Sequence, residues 1–339
     1  MNLEYMIIDV FTDEPFGGSR LNLFIDGRGV SADLMQKLAM EMGSGETAFI
    51  LPPREEGQGR MGLRNFTPSG EIPFAGHSAL GATFALDFLG KRRNQGSDLS
   101  IWELEAGTYE VRTHDEDGRR IYSLLLDDPG FLGQYFHRRK VAQTLGLAEE
   151  EIAITGLPCE VISTGLPIHI VPLASLDAME RIHLRRRDAD TIAADLGFGD
   201  LFVFTCETRN ADCTVHVRMF APHFGIPEDP ASGAACGALV AYLVKHRLVR
   251  EDSPRLRVVV EQGLEMGRGG GAGPGDGTAQ PPDHRGGYAR WRGPQYHRGR
   301  RLRTVGPRPH RYPLKNTRED SGREEDFHER PRRIVHRDV

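Results

Sequence analysis

Between Ser31 and Met42 apolar residues recur three and four positions apart, with Leu34, Met35, Leu38, Ala39 and Met42 on one face. That period predicts a short amphipathic helix, capped by Ser31 and stopped by Gly43. The pattern then switches to a compact run of β-formers, Ala48 to Leu51, ended by Pro52 and Pro53, so a strand is expected. The intervening GSGETAFI places one carboxylate, Glu46, where a helix has finished and a strand begins. Taken by itself, a lone glutamate in such a link is a solvated loop acid. Only partners from elsewhere in the chain could give it chemistry.

A second pattern is a repeat. RNFTPSGEIPFAGHSALGATFALDFLG, from Arg64, is answered by RMFAPHFGIPEDPASGAACGALVAYL, from Arg218. Arg64, Phe66 and Pro68 match Arg218, Phe220 and Pro222, while Gly76, Gly81 and Ala82 match Gly233, Gly237 and Ala238. A weaker echo joins MIIDVFTDEPFGGSRLNLFI to CEVISTGLPIHIVPL, each a strand, a glycine-containing break and another strand. A duplicated unit changes the architecture to be expected, and the elements do not alternate in a βαβ rhythm. The expectation is an α+β fold of two similar halves, each a curved mixed sheet wrapped around a central small-residue helix. The halves are residues 1–129 and 130–266. Glycine and alanine let the surrounding strands approach those helices closely, which explains their composition without any function. The loops before the helices are different, because a helix N-terminus offers free N–H groups and a favourable dipole to an anion. Two such ends in a two-fold arrangement could converge on a substrate carboxylate; a side-chain cap or a buried water cluster is the plain alternative.

Composition bears on the ends of the chain. The 339 residues carry a net charge of −5 with 39% hydrophobic residues, as expected of a soluble globular protein. From Gly267 onward, however, 16 Arg and one Lys face nine acids, a local +8, and only six aliphatic side chains are present. So little apolar surface cannot offset chain entropy, and residues 267–339 read as an atypical Arg/Gly/Pro-rich tail, disordered or the product of a frame shift. Its RGG triplets at 268–270 and 285–287, with Tyr288, Trp291 and Tyr296 among arginines, also resemble RNA-binding segments, a reading ranked well below the others. Cys159, Cys206, Cys213 and Cys236 form no CxxC pair, so neither a zinc site nor a disulfide framework is indicated. No HExxH, P-loop or GxSxG occurs, and His216 and His223 are separated by Pro222 in a poor geometry for a shared metal. No segment approaches a membrane span, and a cytoplasmic location is expected.

Four stretches in order, DVFTDEPFGG, MGSGETAFI, RNFTPSGEIPFAGHSALG and EDPASGAACGAL, resemble the PhzF-like phenazine-biosynthesis isomerase family, which shares the diaminopimelate epimerase fold. The resemblance covers about residues 3 to 268. It implies a homodimeric proton-transfer enzyme, without metal or organic cofactor, that acts on a small carboxylate-bearing molecule between two similar domains. The family's catalytic glutamate falls on Glu46, its Gly-His pair on Gly76 and His77, and its second-half aspartate on Asp229. Gly76, Ser78, Gly233 and Ala234 are expected to receive the substrate, through backbone N–H groups at Gly76 and Gly233. Departures are Gly17, Gly18 and Ser19 in place of Gly-Asn-Pro, Gly45 in place of a serine, and Ala234 in place of a serine. The cysteines that relatives of this fold use as paired bases fall on Ala75 and Ser232, so same-face isomerisation ranks above two-base epimerisation. A ligand-binding relative without activity is the remaining alternative.

Overall fold

The computed structural model describes residues 2–268 except 13–14, 44, 55–59, 93–97, 117, 198, 223–224 and 250–255, together with four short strands beyond residue 268. The first half runs β1 (Leu3–Val10), β2 (Ser19–Phe24), α1 (Ala32–Met42), β3 (Glu46–Leu51), β4 (Arg60–Thr67), β5 (Gly70–Ile72), α2 (Gly76–Phe88), β6 (Leu99–Leu104), β7 (Gly107–Glu116) and β8 (Arg119–Leu126). The second runs β9 (Gly130–Tyr135), α3 (Arg138–Leu145), α4 (Glu150–Ala153), β10 (Cys159–Ser163), β11 (Pro167–Pro172), α5 (Leu176–Glu180), α6 (Arg186–Leu196), β12 (Leu201–Thr205), β13 (Val215–Ala221), β14 (Ile226–Asp229), α7 (Gly233–Lys245) and β15 (Arg257–Gln262).

The helix read at 31–42 is α1. Ser31 Oγ accepts the N–H of Leu34 at 3.3 Å, a cap worth about 1 kcal/mol, and Gly43 ends the helix at φ 63°. The repeat is α2 and α7, each thirteen residues long, with the strand pairs that precede them. Pairing is equivalent in the two halves: β1–β2 and β10–β11 antiparallel, β2–β3 and β11–β12 parallel, β3–β4 and β12–β13 antiparallel, β4–β6 and β13–β15 parallel. Matching side chains make matching contacts. Arg64 lies 5.2 Å from the Phe66 ring centre and pairs with Glu71; Arg218 lies 5.0 Å from that of Phe220 and pairs with Glu228. The fold is α+β, two curved sheets each enclosing a small-residue helix.

Close approach requires those small residues. A Cβ on Gly81 would stand 2.6 Å from Leu21 Cδ2, and one on Gly237 2.4 Å from Leu126 Cδ1. The largest core cluster joins both central helices to strands of both halves, including Leu21, Leu124, Leu126, Ile170, Phe204 and Val217.

Four short segments of the tail pair with the body of the protein. Tyr288–Arg292 (β16) pairs with β15, Leu302–Gly306 (β17) with β16 and β8, and His310–Arg311 (β18) and Ile334–His336 (β19) with β1. Backbone pairing needs donors and acceptors rather than apolar side chains, and the edges of β15 and β8 supply them. The rest of the tail, including the RGG at 285–287 and the two glycines that follow Arg268, lies outside the described residues.

Candidate active site

Glu46 is the first residue of β3, opposite Leu21 in the parallel β2–β3 ladder. Alternation along β3 turns it, with Ala48 and Ile50, toward α2 rather than α1. Its side chain is only 14% exposed. Ser78 Oγ, one turn into α2, donates to Glu46 Oε2 at 3.1 Å, and His77 Nε2 stands 3.4 Å from the same oxygen. His77 is 7% exposed, and its Nε2 makes no hydrogen bond. Asp229 closes β14 in the other half, and its Oδ1 accepts from Ser19 Oγ at 3.3 Å and from the amide of Ala231 at 3.2 Å. Gln262 binds the same turn, donating to the Asp229 carbonyl at 2.7 Å and accepting from the Ser232 amide at 3.2 Å.

These groups face one cavity of about 260 Å³, lined from the first half by Ser19, Arg20, Glu46 and His77, and from the second by Ile226 to Pro230, Met266 and Arg268. A neighbouring hollow of about 310 Å³ shares Gly225, Pro227 and Glu228 with it but contains none of the three ionisable groups.

Electrostatics separate the three. Burial pushes the Glu46 carboxyl up to about 8 against the small opposing effect of the Ser78 hydrogen bond. Burial also raises Asp229, to about 6; the His77 charge pulls it down, Glu46 pushes it up, and the Ala231 amide and Ser19 hydroxyl hold it down. Burial lowers His77 more than Asp229 raises it. Glu46 therefore keeps its proton more readily than Asp229, and burial disfavours the His77 cation. Two carboxyls of separated proton affinity around one imidazole can accept, hold and return a proton.

The other sequence candidates fall nearby in different ways. Ala75 and Ser232 are the N-caps of α2 and α7, and no side-chain hydrogen bond caps either helix. Gly76, Ser78, Gly233 and Ala234 therefore form two uncapped N-termini, although none of the four lines the cavity wall. Gly233 packs against a ring from the other half, since a Cβ there would come 2.8 Å from Phe11 Cζ. Cys236 is buried and its thiol is pushed up to about 12, a small core residue rather than a nucleophile. His216 is enclosed by Glu261 and Glu265, and His223 lies outside the described residues. Among the described residues no group of three or more His, Cys, Asp or Glu is placed to hold a metal ion.

Sequence reading missed Gln262 and Arg268, and met Ser19 only as a departure from a family pattern. The signal for Gln262 and Arg268 was positional: EQGLEMGR directly follows the apolar run Val258–Val260 beyond the second central helix.

Comparison with known proteins identifies the family. The family described as phenazine biosynthesis-like protein matches residues 8–272. The trans-2,3-dihydro-3-hydroxyanthranilate isomerase of Pseudomonas aeruginosa is 32% identical over 266 residues, 78% of this chain and 87% of that protein. A protein of Mesorhizobium japonicum named as an uncharacterized isomerase is 32% identical over 268 residues, with the same coverage of 78% and 87%. The crystal structure of a PhzF-family phenazine biosynthesis protein from Bacillus anthracis has a TM-score of 0.75 at 22% identity, covering 91% of this chain and 98% of that one, a likeness of fold. The chain belongs to the phenazine biosynthesis-like family and is an isomerase of that family.

Proposed function

We propose that the protein moves a proton between two carbons of a small carboxylate-bearing substrate, with Glu46 as the group that takes it and gives it back. The observation that carries this reading is a carboxyl raised to about 8 in a cavity walled by both halves, with His77 3.4 Å away and Asp229 lining the same cavity. In its ionised form Glu46 removes the proton from one carbon. The C–H electron pair shifts into the adjoining bond, and the displaced double-bond pair accepts the proton from Glu46 at the far carbon. His77 and Asp229 orient the substrate. The free N–H groups at Gly76 and Gly233, with those of Ser78 and Ala234 behind them, attract its carboxylate. Neither Ala75 nor Ser232 ionises near neutrality, which supports a single-base shuttle over two-base epimerisation. On this reading the halves are 1–129 and 130–266, the enzyme is a cytoplasmic homodimer, and it needs neither metal nor organic cofactor.

Trans-2,3-dihydro-3-hydroxyanthranilate is the first substrate to try, because a 32% identical relative is named for it. Proton NMR in deuterated water should show conversion by the parent and conversion slowed at least about 10²-fold by Glu46→Gln. Because one shielded carboxyl does both transfers, part of the product should keep the substrate's own hydrogen. Complete replacement by solvent deuterium would overturn the shuttle, and undiminished conversion by Glu46→Gln would remove Glu46 from the mechanism.

A further inference from the structure

Arg268 reaches from the end of the second half into the loop that follows β1. Its Nη2 donates to Asp9 Oδ1 at 3.0 Å and to the Gly17 carbonyl at 3.2 Å, and its Nε donates to the Gly18 carbonyl at 3.0 Å. The Arg268 carbonyl accepts the Gly18 N–H, also at 3.0 Å. Asp9 is fully buried and its other oxygen accepts the N–H of Phe16 at 3.2 Å, so the guanidinium is the counter-ion of a desolvated carboxylate. The loop so held is strained. Phe11 and Phe16 both adopt φ 66°, and Gly18, at φ 55°, sits where a Cβ would meet the Val10 carbonyl oxygen at 2.0 Å. Backbone in such conformations persists only where its surroundings over-determine it. Ser19, the next residue, is the one that reaches Asp229 across the cleft.

We propose that Arg268 is a positioning residue of the reaction: by fastening residues 16–18 to the second half, it holds Ser19 against Asp229 and fixes the orientation of that carboxylate. The inference rests on the role given to Asp229 above. Arg268 is suited to it by shape, because its rigid planar fork reaches three separate acceptors at once, an arrangement the flexible lysine ammonium does not reproduce. The turn that carries Arg268 is built in from its own side. Its amide bonds the Gly263 carbonyl at 3.0 Å, and Gly263 lies against Pro230, next to Asp229.

The test uses the full chain and three substitutions, Arg268→Met, Arg268→Lys and Ser19→Ala, with folding checked by thermal melting. The first readout needs no turnover: the Asp229 carboxyl is titrated by carbon-13 NMR. Ser19 lowers its affinity for a proton, so all three variants should shift the titration upward. The Arg268→Met, Ser19→Ala double variant should move it no further than either single change. Arg268→Lys keeps the positive charge, so a shift there reports lost alignment rather than lost charge. Glu46, His77 and Cys236 act electrostatically on or with Asp229, and all three are unchanged in these proteins. The second readout is kinetic: kcat should fall roughly 10- to 100-fold with KM altered less than about threefold. An unshifted Asp229 in folded Arg268→Lys, or effects of Arg268 and Ser19 that simply add, would overturn the proposal. Should the parent fail to convert the substrate, the proposed reaction falls while the titration still decides the role of Arg268.

Discussion

Glu46 is held at odds with its own stability. A carboxyl at about 8 in the folded chain, against an ordinary value near 4.5, binds its proton more tightly folded than unfolded. The resulting destabilisation is absent below about pH 4.5, grows as the unfolded state loses the proton, and is complete above about pH 8. Glu46→Gln removes the charge while keeping a similar shape. It should therefore raise the melting temperature at pH 8.5 and change it little at pH 4.5, where both forms are neutral. Activity should move the other way, falling about 10²- to 10⁴-fold. In the parent, kcat/KM should climb with pH through about 8, because the ionised form begins the reaction; a profile that falls across that range would make Glu46 an acid in the first step.

At the scale of elements, β13, β15 and the turn at Leu264–Met266 meet around one imidazole. His216 is fully buried, with Nδ1 2.8 Å from Glu261 Oε1 and Nε2 3.1 Å from Glu265 Oε1. Burial pulls His216 down, but the two carboxylates outweigh it and leave it raised. Burial likewise raises both glutamates, and the His216 hydrogen bond and charge, with backbone amides at Glu261, leave them lowered. The imidazolium contributes fully below its unfolded value of about 6.5 and is lost as pH rises through the folded one. The carboxylates contribute above their ordinary range and are lost as pH falls through their depressed values. The cluster therefore stabilises most in the mildly acidic range between those limits. His216→Gln leaves two buried carboxylates without their cation and should cost about 3 kcal/mol at pH 6, with a smaller loss at pH 9. Melting curves across pH 5 to 9 would check this, and a pH-independent loss would show that His216 contributes through packing alone. Arg209, 3.5 Å from Glu265 Oε1, the Arg218 charge acting on Glu265, and the Cys213 thiol beside Glu261 also face the cluster.

For the whole molecule, the duplication was legible because it is written in local patterns: Arg-x-Phe-x-Pro at a strand end, then glycine and alanine in a helix. Glu46, His77 and Asp229 could be named from motifs around them, and the fold brings all three to one cavity. Ser19, Gln262 and Arg268 could not be named, because their partners lie 30 or more residues away or in the other half and leave no periodic trace. The same symmetry gives meaning to the tail. In the first half β6 continues into β7 and β8; in the second, β15 continues into β16 and β17, whose places in the ladder are equivalent. A chain ended after residue 268 keeps every cleft side chain and the Arg268 clasp but strips β15 and β8 of those partners. Two strands bearing buried Val258, Val260, Leu124 and Leu126 would then become open edges. Such a chain should melt at least about 5 °C lower than the full one and form larger species by light scattering. Equal melting temperature and an unchanged association state would mean that the Arg-rich segment contributes nothing to the sheet, and its reading as a disordered or frame-shifted end would prevail.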